Sequence, residues 1–276
     1  MSYRAIVLDV DGTLVDDQGT IRPKTLQRLR DVERRGVRVM VATGRSEMGV
    51  LPILRELGLD TPAVVFNGAG VYCPVEERLI ELRILGKRAV RHALEFAREE
   101  DLLAMVVRAG RKFATRPRDD HERQAVGLLE ALELVPREEL PSQALVRVSV
   151  FSRRHGDADQ FAATFSACLE DRVYLTWFPL NVLADQRGNA LQVIDVQPDC
   201  GGKREALRLL DERYAIAPEE VVCVGDASND VPMLEAAGLG VAMRNGMPSA
   251  LEAADRVIGD NNTDALADLV DELFGE

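Results

Sequence analysis

The chain has 276 residues, 46% of them hydrophobic, and a net charge of −12. That length suits one large domain or two smaller ones with a substantial core, and the acidity argues against general nucleic-acid or anionic-membrane binding. No apolar run approaches the roughly 18 residues of a transmembrane helix, and the N-terminus runs straight into a strand-like segment with no signal-peptide pattern. Cys73, Cys168, Cys200 and Cys223 are scattered without C-x-x-C spacing. They suggest a reducing, cytoplasmic setting with neither a disulfide framework nor a zinc site.

The apolar run Ile6-Val7-Leu8 ends in Asp9-Val10-Asp11-Gly12-Thr13. A continuous apolar run predicts a strand buried on both faces of a parallel sheet, and ligands bind beyond the carboxyl ends of such strands. Asp9 and Asp11 share a strand face and repel each other. A hard divalent cation such as Mg²⁺ would neutralise them through oxygen ligands. A plain Asp-Gly turn also accounts for the pattern. Gly12 permits the turn, and Thr13 can cap the segment after it.

Pro23 to Arg35 carries Leu26, Leu29 and Val32 at helical spacing, with Gly36 as a stop. Val37 to Ala42 is the next strand, ending in Thr43-Gly44-Arg45. Thr43 can donate to a phosphate oxygen or simply cap the helix over Met48 to Leu57; Arg45 can touch substrate or pair with acids. Ala63 to Phe66 reads as a third strand ending in Asn67-Gly68-Ala69-Gly70, a tight turn with Asn67 at the same strand-end level. Val71 to Cys73 and Leu79 to Arg83 form a hairpin around Pro74.

From about Leu85 the pattern changes. Helices are expected over Lys87 to Glu100, Asp120 to Leu134 and Phe161 to Leu169. Strands are expected over Leu102 to Arg108, Lys112 to Thr115, Leu145 to Phe151, Arg172 to Phe178, Asn181 to Ala184 and Ala190 to Val196. The block reads as an α+β module inserted between two halves of an α/β domain. His92, His121 and His155 lack metal-ligand spacing and read as solvated surface. Trp177 and Phe178 read as sheet packing.

After the insertion, Asp199-Cys200-Gly201-Gly202-Lys203 opens a helix. A cation at a helix start is unfavoured by the dipole unless an anion sits nearby. No other Lys occurs after residue 112. Val221 to Val224 is a buried strand ending in Gly225-Asp226-Ala227-Ser228-Asn229-Asp230, a cluster that helix capping explains only in part. Gly240 to Met243 and Arg256 to Ile258 are short closing strands, Asn245-Gly246 is a turn, and Thr263 to Phe274 is an amphipathic tail.

Asp9-Val10-Asp11-Gly12-Thr13, Val41-Ala42-Thr43-Gly44-Arg45, Lys203 and Gly225-Asp226-x-x-Asn229-Asp230 resemble the four motifs of the haloacid dehalogenase-like hydrolases, in order. The insertion resembles the large cap of the Cof-type phosphatases. The resemblance implies a doubly wound, Rossmann-like α/β core over 1–84 and 197–276, with an α+β cap domain over 85–196. It also implies a Mg²⁺-dependent phosphatase acting on a small phosphorylated metabolite through an aspartyl-phosphate. Asp9 would be the nucleophile and Asp11 the acid and base. Asp9, Asp11 through its backbone carbonyl, and Asp226 would hold Mg²⁺. Thr43, Gly44, Arg45, Asn67, Lys203 and Asn229 would bind phosphate or substrate, Asn229 alternatively a metal-bound water. Asp230 would orient Lys203 or a water. Cap loops select substrate in that group, which makes Arg187, in Asp185-Gln186-Arg187-Gly188, a specificity candidate; a plain hairpin turn is the alternative.

A sugar phosphomutase shares the Asp pair, and Arg108, Arg111, Arg116 and Arg118 keep it open by offering charge for a second phosphate. A phosphometabolite sensor would not need both Asp9 and Asp11. A dehalogenase leaves Asp11 without a role. Substrate identity and oligomeric state stay open at this level.

Overall fold

The computed structural model describes residues 3–275 apart from positions 128, 130, 168, 184 and 185. Cys168, Asp185 and the end of the expected strand at 181–184 therefore lie outside the described residues. The chain divides into two compact units, Met1–Leu82 with Gly201–Glu276, and Arg83–Cys200.

The first unit begins with β1 (Ala5–Leu8), α1 (Pro23–Arg34), β2 (Arg38–Val41), α2 (Glu47–Leu57), β3 (Ala63–Val65), β4 (Gly70–Cys73) and β5 (Arg78–Leu82). The second unit comprises α3 (Lys87–Glu99), β6 (Leu103–Arg108), β7 (Arg111–Thr115), α4 (Asp120–Gly127), β8 (Leu132–Val135), β9 (Arg147–Ser152), α5 (Ala158–Ser166), β10 (Val173–Pro179) and β11 (Gln192–Pro198). The chain then completes the first unit with α6 (Glu205–Tyr214), β12 (Val221–Gly225), α7 (Val231–Leu234), β13 (Leu239–Met243), α8 (Pro248–Ala253), β14 (Arg256–Ile258) and α9 (Ala265–Phe274).

In the first unit the strand order is β14-β13-β12-β1-β2, every neighbouring pair parallel. β1 lies inside the sheet, between β12 and β2, and is fully buried, as its unbroken apolar run requires. Ala5 and Val7 face a cluster that includes Leu207 and Leu210 of α6 and Met233 of α7. Ile6 and Leu8 point the other way and are equally buried. Register decides where the chemistry falls. Leu8 lies opposite Val41 of β2 and Val224 of β12. The residues just beyond, Asp9, Thr43 and Asp226, therefore leave the sheet at one level. β3, β4 and β5 form a separate antiparallel sheet, joined to the end of β2 by the bridge Ala42–Val64.

The second unit holds one sheet of order β10-β11-β9-β6-β7-β8. Val106, Val148, Val150 and Ile194 on one face pack with Phe161 and Phe165 of α5 and Ala93 of α3. Three expectations change here. The helix expected over Asp120 to Leu134 stops at Gly127, and Leu132–Val135 pairs with β7 instead. Cross-strand pairing outweighs a weak local helical preference there. Leu180–Val182 is a 3-10 turn rather than a strand. The histidines are half-buried rather than solvated: His92 sits edge-on to Phe165 and His155 stacks on Phe161 at 4.5 Å. No described helix is long and apolar enough to cross a membrane.

Phe161 is fully buried at the centre of the second core. Phe161→Ala should destabilise that unit by about 3–5 kcal/mol. Trp177, the chain's one tryptophan, donates from its indole to Asp159 of α5 and reports the unit by fluorescence. A lowered urea midpoint in that signal is expected; an unchanged midpoint contradicts the packing.

Candidate active site

The three aligned strand ends converge on Lys203. It lies in a 3-10 turn, Gly202–Arg204, just before α6, and is 1% exposed. Its ammonium donates to Asp9 Oδ1 and to Asp230 Oδ1, each at 2.6 Å. Burial alone would disfavour the charge, but the two carboxylates outweigh it and hold the Lys203 pKa above its ordinary value. Asp230 is fully satisfied. Its Oδ1 takes Lys203, and its Oδ2 accepts from the backbone N–H of Asp226 and of Ala227, both at 2.9 Å.

Asp9, Asp226 and Asp230 bring a carboxylate oxygen each within 4.8 Å of one another, the one such group found among the described residues. Asp230 has spent its oxygens, which leaves Asp9 and Asp226 facing each other. Their carboxylate oxygens lie within 4.8 Å of each other, close enough for the two charges to repel. Burial first, then the neighbouring carboxylates, raises the Asp9 pKa well above normal despite Lys203. Burial and Asp230 push Asp226 up to about 7. One ammonium thus serves three acids, and a divalent cation fits the oxygen-only donor set. Such an ion would let both carboxyls ionise.

Two glycines make the approach feasible. Gly12 has φ +79°, and a Cβ there would lie 2.4 Å from Asp226 Oδ2. A Cβ on Gly225 would meet Asp230 Cβ at 2.5 Å. Thr13 caps no helix. Its hydroxyl donates to Asp226 Oδ1 at 3.0 Å. The sequence reads Asn245 as part of a turn, in a loop that borders the site in similar proteins, and its Nδ2 donates to the Gly12 carbonyl at 2.8 Å. Its position just past β13, at the same sheet end, is the signal that could have singled it out.

The remaining candidates fall into two groups. Thr43 is 1% exposed, and its Oγ1 accepts from the Arg45 backbone N–H at 3.1 Å, leaving the hydroxyl hydrogen to donate. It does not cap α2; Ser46 does, accepting from Gly49 N–H. Arg45 grips Asp11 by two bonds, Nε to Oδ2 at 2.9 Å and Nη2 to Oδ1 at 2.5 Å. Asn67 lies against Gly44 and accepts from Asn229 Nδ2 at 3.0 Å. Arg187, by contrast, belongs to the second unit, exposed in the turn after Gln186. Of the four arginines weighed for a second phosphate, Arg118 is paired with Asp101 and Glu122, and Arg108 donates to the Gln143 carbonyl.

The raised Asp226 pKa has a stability consequence. A carboxyl at about 7 in the fold and 3.8 unfolded keeps its proton longer when folded, so this group's contribution is lost as pH rises through 7. Asp226→Asn should therefore stabilise the metal-free protein at pH 8, by an amount that shrinks toward pH 5. Thermal unfolding in chelator checks this; an equal effect at both pH values contradicts the burial of an unbalanced carboxylate.

The model of the haloacid dehalogenase-like hydrolase family matches residues 6–270. A pyridoxal phosphate phosphatase of Escherichia coli strain K12 is 28% identical over 292 residues, covering 98% of each chain. A 5-amino-6-(5-phospho-D-ribitylamino)uracil phosphatase of Bacillus subtilis strain 168 is 27% identical over 275 residues, 98% of this chain and 97% of that one. The solved structure of a haloacid dehalogenase-like hydrolase from Bacteroides thetaiotaomicron superposes with a TM-score of 0.79 at 22% identity, covering 99% of this chain and all of that one. With a family match across nearly its whole length, the chain belongs to the haloacid dehalogenase-like hydrolases.

Proposed function

We propose that the protein is a Mg²⁺-dependent phosphatase that hydrolyses a small phosphomonoester through an aspartyl-phosphate on Asp9. The observation that carries this reading is the buried Lys203 ammonium bonded to Asp9 at 2.6 Å, with the Asp11 carboxyl half-exposed two residues further on. Family membership and relatives named as phosphatases support it.

Asp9, Asp226 and the backbone carbonyl of Asp11 would hold the ion, which supplies positive charge against the transferring phosphoryl group. Lys203 holds one Asp9 oxygen and leaves the other to attack phosphorus. Thr43 and the backbone at Gly44 receive phosphate oxygens. As the bond from Asp9 to phosphorus forms, the bond to the ester oxygen breaks, and Asp11 gives that oxygen its proton. Asp11 then takes a proton from water, whose oxygen attacks phosphorus and frees both phosphate and Asp9. For Asp11 to reach the ester oxygen, its carboxyl must turn away from the two-point grip of Arg45.

Phosphate release from a panel of phosphomonoesters, including sugar phosphates, pyridoxal phosphate and a phosphorylated flavin precursor, checks this reading. Turnover should require Mg²⁺, stop in excess chelator and be abolished in Asp9→Asn with the fold intact. Asp226→Ala should raise the Mg²⁺ requirement at least tenfold. Turnover at wild-type rate in Asp9→Asn would remove Asp9 as the nucleophile.

A further inference from the structure

The turn between β3 and β4 holds three consecutive residues in the left-handed region: Phe66 at φ 53°, Asn67 at φ 50° and Gly68 at φ 96°. Glycine accepts this conformation freely, asparagine tolerates it, and a bulky phenylalanine rarely adopts it. Strain of this kind persists only where surrounding contacts over-determine the backbone. Those contacts come from the loop after β2. Phe66 N–H donates to the Arg45 carbonyl at 2.9 Å, and Asn67 N–H donates to the Thr43 carbonyl at 3.0 Å. The turn is thus pinned to the phosphate-facing segment Thr43-Gly44-Arg45. A Cβ on Gly44 would lie 3.0 Å from Asn67 Oδ1, and one on Gly68 would collide with the Gly202 carbonyl beside Lys203. Both glycines allow the close fit.

The pinned turn delivers a single side chain, Asn67, only 3% exposed. Its Oδ1 accepts from Asn229 Nδ2. Asn229 lies in the loop between Asp226 and Asp230, and its own Oδ1 is buried with no hydrogen-bond partner among the described residues. An acceptor left bare in a buried site is unfavourable and calls for a donor. A phosphate dianion carries no proton and cannot be that donor. A water bound to a cation at Asp9 and Asp226 can, because the ion polarises its O–H bonds outward.

We propose that Asn67 is a positioning residue: it holds the Asn229 amide so that its oxygen, not its nitrogen, faces the site and accepts from a water held by the divalent cation. This rests on the proposed metal-dependent phosphatase and assigns Asn229 to the ion's hydration rather than to phosphate. Partners of this kind outside the ligand set typically change metal affinity about tenfold or more.

Mg²⁺ binding by isothermal titration calorimetry, without substrate, tests the proposal. The proteins are wild type, Asn67→Gly, Asn229→Leu and the double variant. Asn67→Gly keeps the left-handed backbone without steric cost, and thermal unfolding checks each fold. Each single variant should weaken Mg²⁺ about tenfold, and the double variant should be no weaker than Asn229→Leu. Inorganic phosphate binding at saturating Mg²⁺ should change less than twofold. Unchanged Mg²⁺ affinity in either folded single variant overturns the proposal while leaving the phosphatase reading intact. So does lost phosphate affinity with Mg²⁺ affinity kept, which would mean the amide nitrogen faces the site. A wild-type protein that binds no Mg²⁺ overturns the phosphatase reading and this proposal with it.

Discussion

Lys203 places an ammonium group where solvent does not reach, between the carboxylates of Asp9 and Asp230. Both partners are required, because an ammonium buried without compensation would lose its proton or open the fold. Asp9 and Lys203 lie 194 positions apart in sequence. The contact therefore ties the first strand end to the start of α6, and Asp230 ties both to the loop after β12. Removing one member of such a pair typically costs about 3–5 kcal/mol, since it strands the other charge. The arrangement is a poor way to gain stability and a good way to hold a carboxylate oxygen still.

The same cluster is unbalanced in its donors. Asp230 neutralises Lys203 and is then exhausted by two backbone N–H groups. Asp9, buried, and Asp226, partly buried, remain side by side, with pKa values raised by burial and by neighbouring carboxylates. Everything placed around them tightens that approach: the positive φ of Gly12, the missing Cβ of Gly225, the Thr13 hydroxyl on Asp226. Two ionised carboxylates would not stay together there without added positive charge. The site is electrostatically incomplete in the direction of a divalent cation and an anionic substrate.

The parallel core was legible because buried strands read as unbroken apolar runs, and because chemistry in such sheets falls at strand ends. The resemblance at Asp9-x-Asp11 and at Gly225-Asp226 rests on short local spacings, and the register of β1, β2 and β12 brings those segments to one level. Side-chain pairings were not legible. Nothing local marks Arg45 as the partner of Asp11, Asn67 as the partner of Asn229, or Thr13 as a donor to Asp226, since each joins segments that only the folded sheet brings together. β8 was missed for a related reason. Leu132–Val135 is too short to declare itself, and its strand character comes from pairing with β7. Ser46, not Thr43, caps α2, which releases the Thr43 hydroxyl for another use.

The central claim is that phosphorus passes through Asp9. Trapping that species tests it most directly. Asp11→Asn removes the group that activates water, so rapid acid quench of this variant with Mg²⁺ and an ester whose leaving group needs no proton, such as a nitrophenyl phosphate, would let the acyl-phosphate accumulate. Mass spectrometry of the peptide spanning Ile6–Leu14 should then show one added phosphoryl group on Asp9, absent when chelator replaces Mg²⁺. Cleavage of the ester by Asp11→Asn within a single turnover, with no phosphoryl adduct trapped on Asp9 at any quench time, would mean that water attacks phosphorus directly and would contradict the account.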